Sequence, residues 1–303
     1  MRRHIPALLM LGLCLFLGAA PAEQGDPWKS LVAAEKAFAQ AAVDDGIRSA
    51  FLANLAGGAL IFRPQATPGR PYYEALSPDL ATRLVWKPAF AEISAAGELG
   101  YTTGPYAIYK DKAATKASGY GHYITIWKKQ GGGEWKAVLD IGVSHPAPKA
   151  SGTEVAAPAG APAAYGPALS GFALEQEKQK LRKEEAAFAR LSASEGTAKA
   201  YAARASERLR LYREGNLPVS GLKAAQKLLT RAASPSSWSV EGADLSASND
   251  LGYTHGTGRL SVAAAGDSGD AQERLFSFMH IWHRDADGTW RVVLDVAIPY
   301  PSK

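Results

Sequence analysis

The chain has 303 residues, 47% of them hydrophobic and 21% charged, and a formal net charge of +5. That balance is too small to argue for nucleic acid or anionic lipid as a partner, and the charges are interspersed, as along 175–185, which reads as a solvated helix face. The single cysteine, Cys14, falls in the expected leader, so disulfides, thiol nucleophiles and cysteine metal sites are excluded from the mature chain.

Residues 1–22 read as a signal peptide. Arg2, Arg3 and His4 give a positive start, Leu8 to Leu17 a short apolar stretch, and Ala20-Pro21-Ala22 a small-x-small cleavage site. The apolar stretch is too short to span a bilayer of ~30 Å. Leu13 before Cys14 is a poor fit to a lipoprotein signal. The expected product is exported, periplasmic or secreted, with no stable membrane insertion after cleavage.

A first globular stretch covers 23–146. Leu31, Ala34/Glu35 and Phe38 follow helical spacing, and Ile47, Phe51 and Leu55 mark a second helix. Leu60 to Arg63 reads as a strand. Further strands are expected at about 89–94, 101–109, 120–128 and 134–143, with Gly131-Gly-Gly133 as the last hairpin turn. Residues 147–171 are nearly all Pro, Ala, Gly and Ser and read as a flexible linker.

The second globular stretch, 172–303, repeats the first. Glu35-Lys-Ala-Phe38 recurs as Glu185-Ala-Ala-Phe188, and Leu99-Gly-Tyr-Thr-Thr-Gly104 as Leu251-Gly-Tyr-Thr-His-Gly256. Trp135 with Val138-Leu-Asp140 recurs as Trp290 with Val293-Leu-Asp295. The offset grows from 150 to 152 to 155, as small loop insertions produce. Leu222, Ala225 and Leu229 suggest one more helix in copy two, where copy one is less regular. Helices followed by a run of strands give an α+β domain, present twice.

An opening Glu-x-x-Phe helix, a Leu-Gly-Tyr-Thr-x-Gly strand and a closing Trp-x-x-Val-Leu-Asp resemble the DUF4440 branch of the nuclear transport factor 2-like (NTF2-like, ketosteroid-isomerase-like) superfamily. The resemblance covers nearly all of both globular stretches. Phe276-Ser-Phe-Met-His-Ile-Trp282 departs from the Gly121-His-Tyr-Ile-Thr-Ile-Trp127 form of copy one. The resemblance implies a curved antiparallel sheet wrapped on N-terminal helices around a cone-shaped pocket, and dimerisation through the sheet's outer face. A tandem chain is then expected to form an intramolecular pseudo-dimer or a homodimer. The superfamily includes isomerases, cyclases and binding modules, so fold alone sets no reaction.

Alternation along strands puts Tyr123, Thr125 and Trp127 on one face, matched by Phe278, His280 and Trp282. Tyr101 and Thr103, matched by Tyr253 and His255, are assigned to the same pocket. Trp86 and Trp238 are further aromatic candidates, and Arg63 and Arg213 are placed to reach a ligand carboxylate or to end a strand in solvent. Both threonines of copy one are histidines in copy two, so His255 and His280 are the acid–base candidates if there is catalysis. Two imidazoles fall short of the three or four ligands a metal wants, and no cofactor is expected. Asp140 and Asp295 read as structural, on the face of Lys136 and Val138. A carboxylate base with a Tyr/Asp oxyanion hole finds no residues among the candidates of copy one. Three readings stay open: a module binding a small apolar or aromatic ligand, an enzyme working through His255 and His280, and a structural pseudo-dimer or partner-binding module.

Overall fold

The computed structural model describes residues 25–78, 80–148, 154–230, 234–262 and 272–300; the expected leader lies outside them. Copy one opens with α1 (Pro27–Asp44), capped by the Asp26 carboxylate accepting from Trp28 N and Lys29 N, with Pro27 at the first helical position. There follow α2 (Ile47–Asn54), β1 (Leu55–Phe62), β2 (Ala66–Pro68), α3 (Gly69–Glu74), β3 (Arg83–Trp86), β4 (Phe90–Ile93), β5 (Leu99–Tyr109), β6 (Gly119–Lys129) and β7 (Trp135–His145). Copy two has α4 (Gly171–Glu195), α5 (Thr197–Arg204), β8 (Ala205–Arg213), β9 (Val219–Ser220), α6 (Leu222–Leu229), β10 (Ser234–Leu245), β11 (Leu251–Val262), β12 (Gln272–Arg284) and β13 (Trp290–Tyr300).

Each copy is an α+β unit with its helices ahead of one sheet. The sheet of copy one runs β2-β1-β7-β6-β5-β3 with β4 also on β5, and that of copy two runs β10-β11-β12-β13-β8-β9. Pairing is antiparallel except at β1 with β7 and β8 with β13, which are parallel. The last hairpins turn where expected, with Gly133 and Gly288 at positive φ, a backbone region that glycine enters without steric cost.

The glycines of the Leu-Gly-Tyr-Thr-x-Gly strands are there for close approach. A Cβ on Gly100 would lie 2.6 Å from Leu31 Cδ2, and one on Gly252 2.8 Å from Leu181 Cδ2, because α1 and α4 lie on the sheet at those points. At Gly104 and Gly256 it would come within 1.9 and 2.0 Å of the carbonyl oxygens of Lys87 and Ser239.

One face of each sheet covers its own helices. The opposite faces meet in a single hydrophobic cluster that joins Tyr101, Ile124 and Ile126 to Met279, Ile281 and Val296. The seam is reciprocal. Ala95 N donates to Asp250 at 2.8 Å and Ala247 N to Glu98 at 2.6 Å, equivalent residues exchanging equivalent bonds as in an isologous contact. Arg208 grips Glu92 through both terminal nitrogens at 2.9 and 2.7 Å.

The Ala/Pro/Gly-rich segment departs from the flexible linker expected. Over 154–170 it bonds to both copies: Ala156 to Ala89 and Ala91, Tyr165 N to Ser248 O, and Leu169 N to Ala247 O. Arg284 stacks on the Tyr165 ring at 4.0 Å. Backbone bonds and a cation–π contact hold a stretch that has little apolar mass of its own.

Candidate functional site

Copy one contains a cavity of about 340 Å³ between its helices and the inner face of its sheet. Its walls are mostly aromatic and aliphatic, with Phe38, Phe51, Leu84, Trp86 and Tyr106 prominent, and Arg63, Tyr123, Thr125 and Asp140 supply polar groups. Thr125 Oγ1 donates to Asp140 Oδ2 at 2.8 Å. Arg63 donates to Phe62 O at 2.9 Å and to Tyr73 Oη at 2.8 Å. The Tyr123 hydroxyl is buried beside Thr102 and Glu35, and burial raises it well above its ordinary value. Burial raises the Asp140 carboxyl above its ordinary value, against the pull of Arg63 and Thr125.

Beneath these walls lies Glu35, wholly buried on α1. It accepts from Trp86 Nε1 at 2.6 Å, Thr102 Oγ1 at 2.5 Å and Trp127 Nε1 at 2.9 Å. Burial pushes it up to about 7, against those three donors, and among the described residues no cation is paired with it.

Copy two builds the same site differently. Glu185 accepts from Trp238 Nε1 at 2.5 Å and Thr254 Oγ1 at 2.6 Å, but its third partner is His280 Nδ1 at 2.9 Å. His280 Nε2 lies 3.4 Å from Asp295, which is clasped by Arg213 at 2.8 and 2.5 Å and accepts the Tyr201 hydroxyl. Burial alone would lower the His280 imidazole; Glu185 and Asp295 instead raise it to about 9. Burial would raise Asp295, and Arg213 with His280 hold it far below the usual carboxylate range. The cavity left is about 160 Å³, narrowed by Phe276 and Phe278 where copy one has Gly121 and Tyr123.

Of the residues expected at a site, Arg63, Trp86, Tyr123 and Thr125 line the first cavity, and Arg213, Trp238, Phe278 and His280 the second. Tyr101, Thr103, Tyr253 and His255 do not. Strand pairing sets Thr102 opposite Thr125 and Thr254 opposite His280, so the residues on either side of each threonine point to the seam. Tyr101 donates to Glu92 there, Thr103 to the Tyr123 carbonyl, and Tyr253 packs at the edge of the joint cluster. His255 meets the Phe62 ring edge-on at 6.0 Å across the seam. The two histidines therefore lie on opposite faces of one sheet and share no cavity. Trp127 and Trp282 are fully buried beneath the cavities, tied to Glu35 and to Thr254 Oγ1, and are core residues rather than ligand platforms.

Asp295 is structural as expected, held by Arg213, Tyr201 and His280, but the aspartates do not lie on the expected face. A bulge pairs Ile126 with Leu139 but Trp127 with Ala137, which takes Asp140 off the face of Val138 and Lys136 and turns it to the cavity. Copy one thus does hold a carboxylate in its pocket. Glu35 and Glu185 were visible in the sequence as acids on the apolar stripe of a helix in both copies, a position a solvated acid does not take.

No protein-family profile and no curated protein matches the chain. Solved structures do resemble it. A ketosteroid isomerase-like protein from Erwinia carotovora atroseptica is 11% identical, aligned over 41% of this chain and 99% of its own, with a TM-score of 0.33. An NTF2-like protein with a cystatin-like fold from Novosphingobium aromaticivorans is 17% identical over 43% of this chain and 86% of its own, with a TM-score of 0.33. An NTF2-like superfamily protein from Salmonella enterica is 11% identical over 43% and 94%, with a TM-score of 0.34. The structural neighbours are NTF2-like. At these identities and scores they carry no argument about chemistry, which rests on the residues above.

Proposed function

We propose that the chain is an exported tandem protein of the DUF4440 kind in which copy one binds a small, largely apolar or aromatic molecule and copy two is its closed counterpart. The observation that carries this reading is the cavity of about 340 Å³, walled by aromatic and aliphatic side chains and carrying the Arg63 guanidinium with no carboxylate paired to it among the described residues. An apolar cavity with a few convergent polar groups is the ordinary form of a ligand site. At the copy-two pocket Arg213, Asp295, His280 and Glu185 answer one another, which favours a structural role for it. The enzymatic alternative through paired histidines has little geometric support, since both ring nitrogens of His280 face carboxylates and His255 lies on the other face of the sheet. With both outer faces turned to one another, the chain is proposed to act as a pseudo-dimer within a single polypeptide.

The test is native mass spectrometry of the protein taken from its exported fraction, beside a Gly142→Val variant. Gly142 lines the cavity and has ordinary contact distances around an added Cβ, 3.4 Å to Tyr106 and 3.6 Å to His122 O, so valine fills space without breaking the strand. A small-molecule adduct present in wild type and absent in the variant supports the reading. Bare polypeptide in both moves the structural or partner-binding reading forward.

A further inference from the structure

The two copies hold equivalent arginines in different states. Arg213 Nη1 donates to the carbonyl of the preceding Tyr212 at 2.9 Å, and Arg63 Nη1 makes the same bond to Phe62 at 2.9 Å, so both guanidinium groups hang from the same backbone anchor. Beyond that anchor they diverge. Arg213 closes on Asp295 with both terminal nitrogens, at 2.8 and 2.5 Å. Arg63 gives its second terminal nitrogen to the Tyr73 hydroxyl, and Asp140, the equivalent of Asp295, turns to Thr125 instead. Among the described residues no carboxylate lies within ion-pair distance of Arg63.

We propose that the molecule held by copy one is a monocarboxylate on a ring-sized apolar body, its carboxylate seated on Arg63. This rests on the reading that the copy-one cavity is a ligand site. The capacity that Arg63 leaves open in the cavity wall is all donor: the remaining N–H groups of a guanidinium with two bonds made. A carboxylate accepts at both oxygens and matches the guanidinium fork, a match worth more than a neutral pairing. Copy two displays the filled form of this arrangement with a carboxylate of its own, Asp295. Two acids oppose an incoming anion, Asp140 in the wall and Glu35 beneath it, and burial raises both above the ordinary carboxylate range, which lessens that opposition. The remaining wall is aromatic and aliphatic and takes a ring.

The experiment titrates benzoate, phenylacetate and 2-naphthoate, each beside its neutral primary amide, following the fluorescence of Trp86 in the cavity wall and the heat of binding. A carboxylate is expected to bind about tenfold or more tighter than its amide, the difference of one charge-assisted pair over a neutral one. Arg63→Gln is expected to abolish that preference, lowering the acid's affinity about tenfold or more and the amide's by less. Arg63 is solvent-reached, and the melting curve of the variant checks that it folds; if it does not, the wild-type carboxylate-to-amide ratio decides alone. Amides that bind as well as acids overturn the carboxylate class and leave the cavity as a ligand site. Six probes without effect overturn both.

Discussion

The two copies solve one electrostatic problem with different residues. Each buries a glutamate from its first helix among tryptophans and an aspartate from its last strand, set against Thr125 in copy one and against Arg213 in copy two. Where copy two has His280, copy one has Thr125, and the rest follows from that exchange. In copy two an imidazolium and a guanidinium stand among two carboxylates, and the site closes on itself. In copy one the missing cation is replaced by a proton on Glu35, held up to about 7, and by the open fork of Arg63. A pocket that balances its charges internally is scaffold; one that leaves a cation unanswered has room for a ligand. The repeat supplies its own control.

The largest break in this comparison is expected from the same substitution made twice. Glu185→Gln removes one carboxylate from the His280 bridge and leaves a buried imidazolium under-compensated, for a loss of about 3–5 kcal/mol in chemical denaturation. Glu35→Gln removes a group with no cation beside it and is expected to cost little at pH 5. If the two variants lose stability equally, the distinction between the copies fails.

Thr125→His tests whether one residue carries the difference. The imidazole would reach toward both Glu35 and Asp140, as His280 reaches Glu185 and Asp295, and would occupy part of the cavity. Loss of probe binding is expected, with a stability change within the ~1–3 kcal/mol of an overpacked core. Retained binding would place the ligand elsewhere.

Much of this was legible before any coordinates. The repeat is written in Leu-Gly-Tyr-Thr-x-Gly and Trp-x-x-Val-Leu-Asp; the α+β order follows from periodicity, both hairpins from their Gly-containing turns, Tyr123 and Thr125 from strand alternation, and Trp86 and Arg63 from their recurrence as Trp238 and Arg213. The assignment of Tyr101, Thr103, Tyr253 and His255 failed because alternation fixes which residues share a face but not which face is the pocket. Here both faces are apolar, one against helices and one against the other sheet, so hydrophobicity does not distinguish them. The bulge that swings Asp140 inward has no marker in local sequence, since Val138 and Leu139 are equally at home on either side. The buried acids were readable in principle, because glutamate on an apolar helix stripe is rare unless something holds it.

The pH profile of Glu35→Gln sharpens the contrast further. A carboxyl raised from 4.5 to about 7 in the fold binds more protons there than in the unfolded chain across that interval, so wild-type stability falls as pH rises from 4.5 to 7. The glutamine variant loses this slope and is expected to be more stable than wild type at pH 8 by ~1–2 kcal/mol, the linkage gain less the cost of one imperfect hydrogen bond to Trp127. Copy two has its own window. His280, raised from 6.5 to about 9, stabilises fully below 6.5 and loses that contribution as pH climbs to 9. Separate alkaline slopes, one removed by Glu35→Gln and one surviving it, are the expected signature.

The smallest effect concerns the seam, where the copies touch rather than differ. His122 Nδ1 lies 2.7 Å from His145 Nε2, the His145 Nδ1 meets Pro146 O at 2.7 Å, and the His122 ring faces that of Tyr212 in copy two. Copy two has Ser277 and Tyr300 in their places, so this pair is unmatched. Burial, then His145, then Arg210 lower His122 from 6.5 to about 4. A histidine depressed in the fold takes up its proton first in the unfolded chain. Its contribution is therefore intact above 6.5 and is lost as pH falls from 6.5 to 4. Glu35 runs the opposite way over much of that interval and masks the slope in wild type. In a Glu35→Gln background the acid slope should stand clear, and adding His122→Asn should flatten it while changing stability at pH 7 by no more than ~1 kcal/mol. An acid slope that survives the asparagine assigns it to other groups and leaves the seam insensitive to protons.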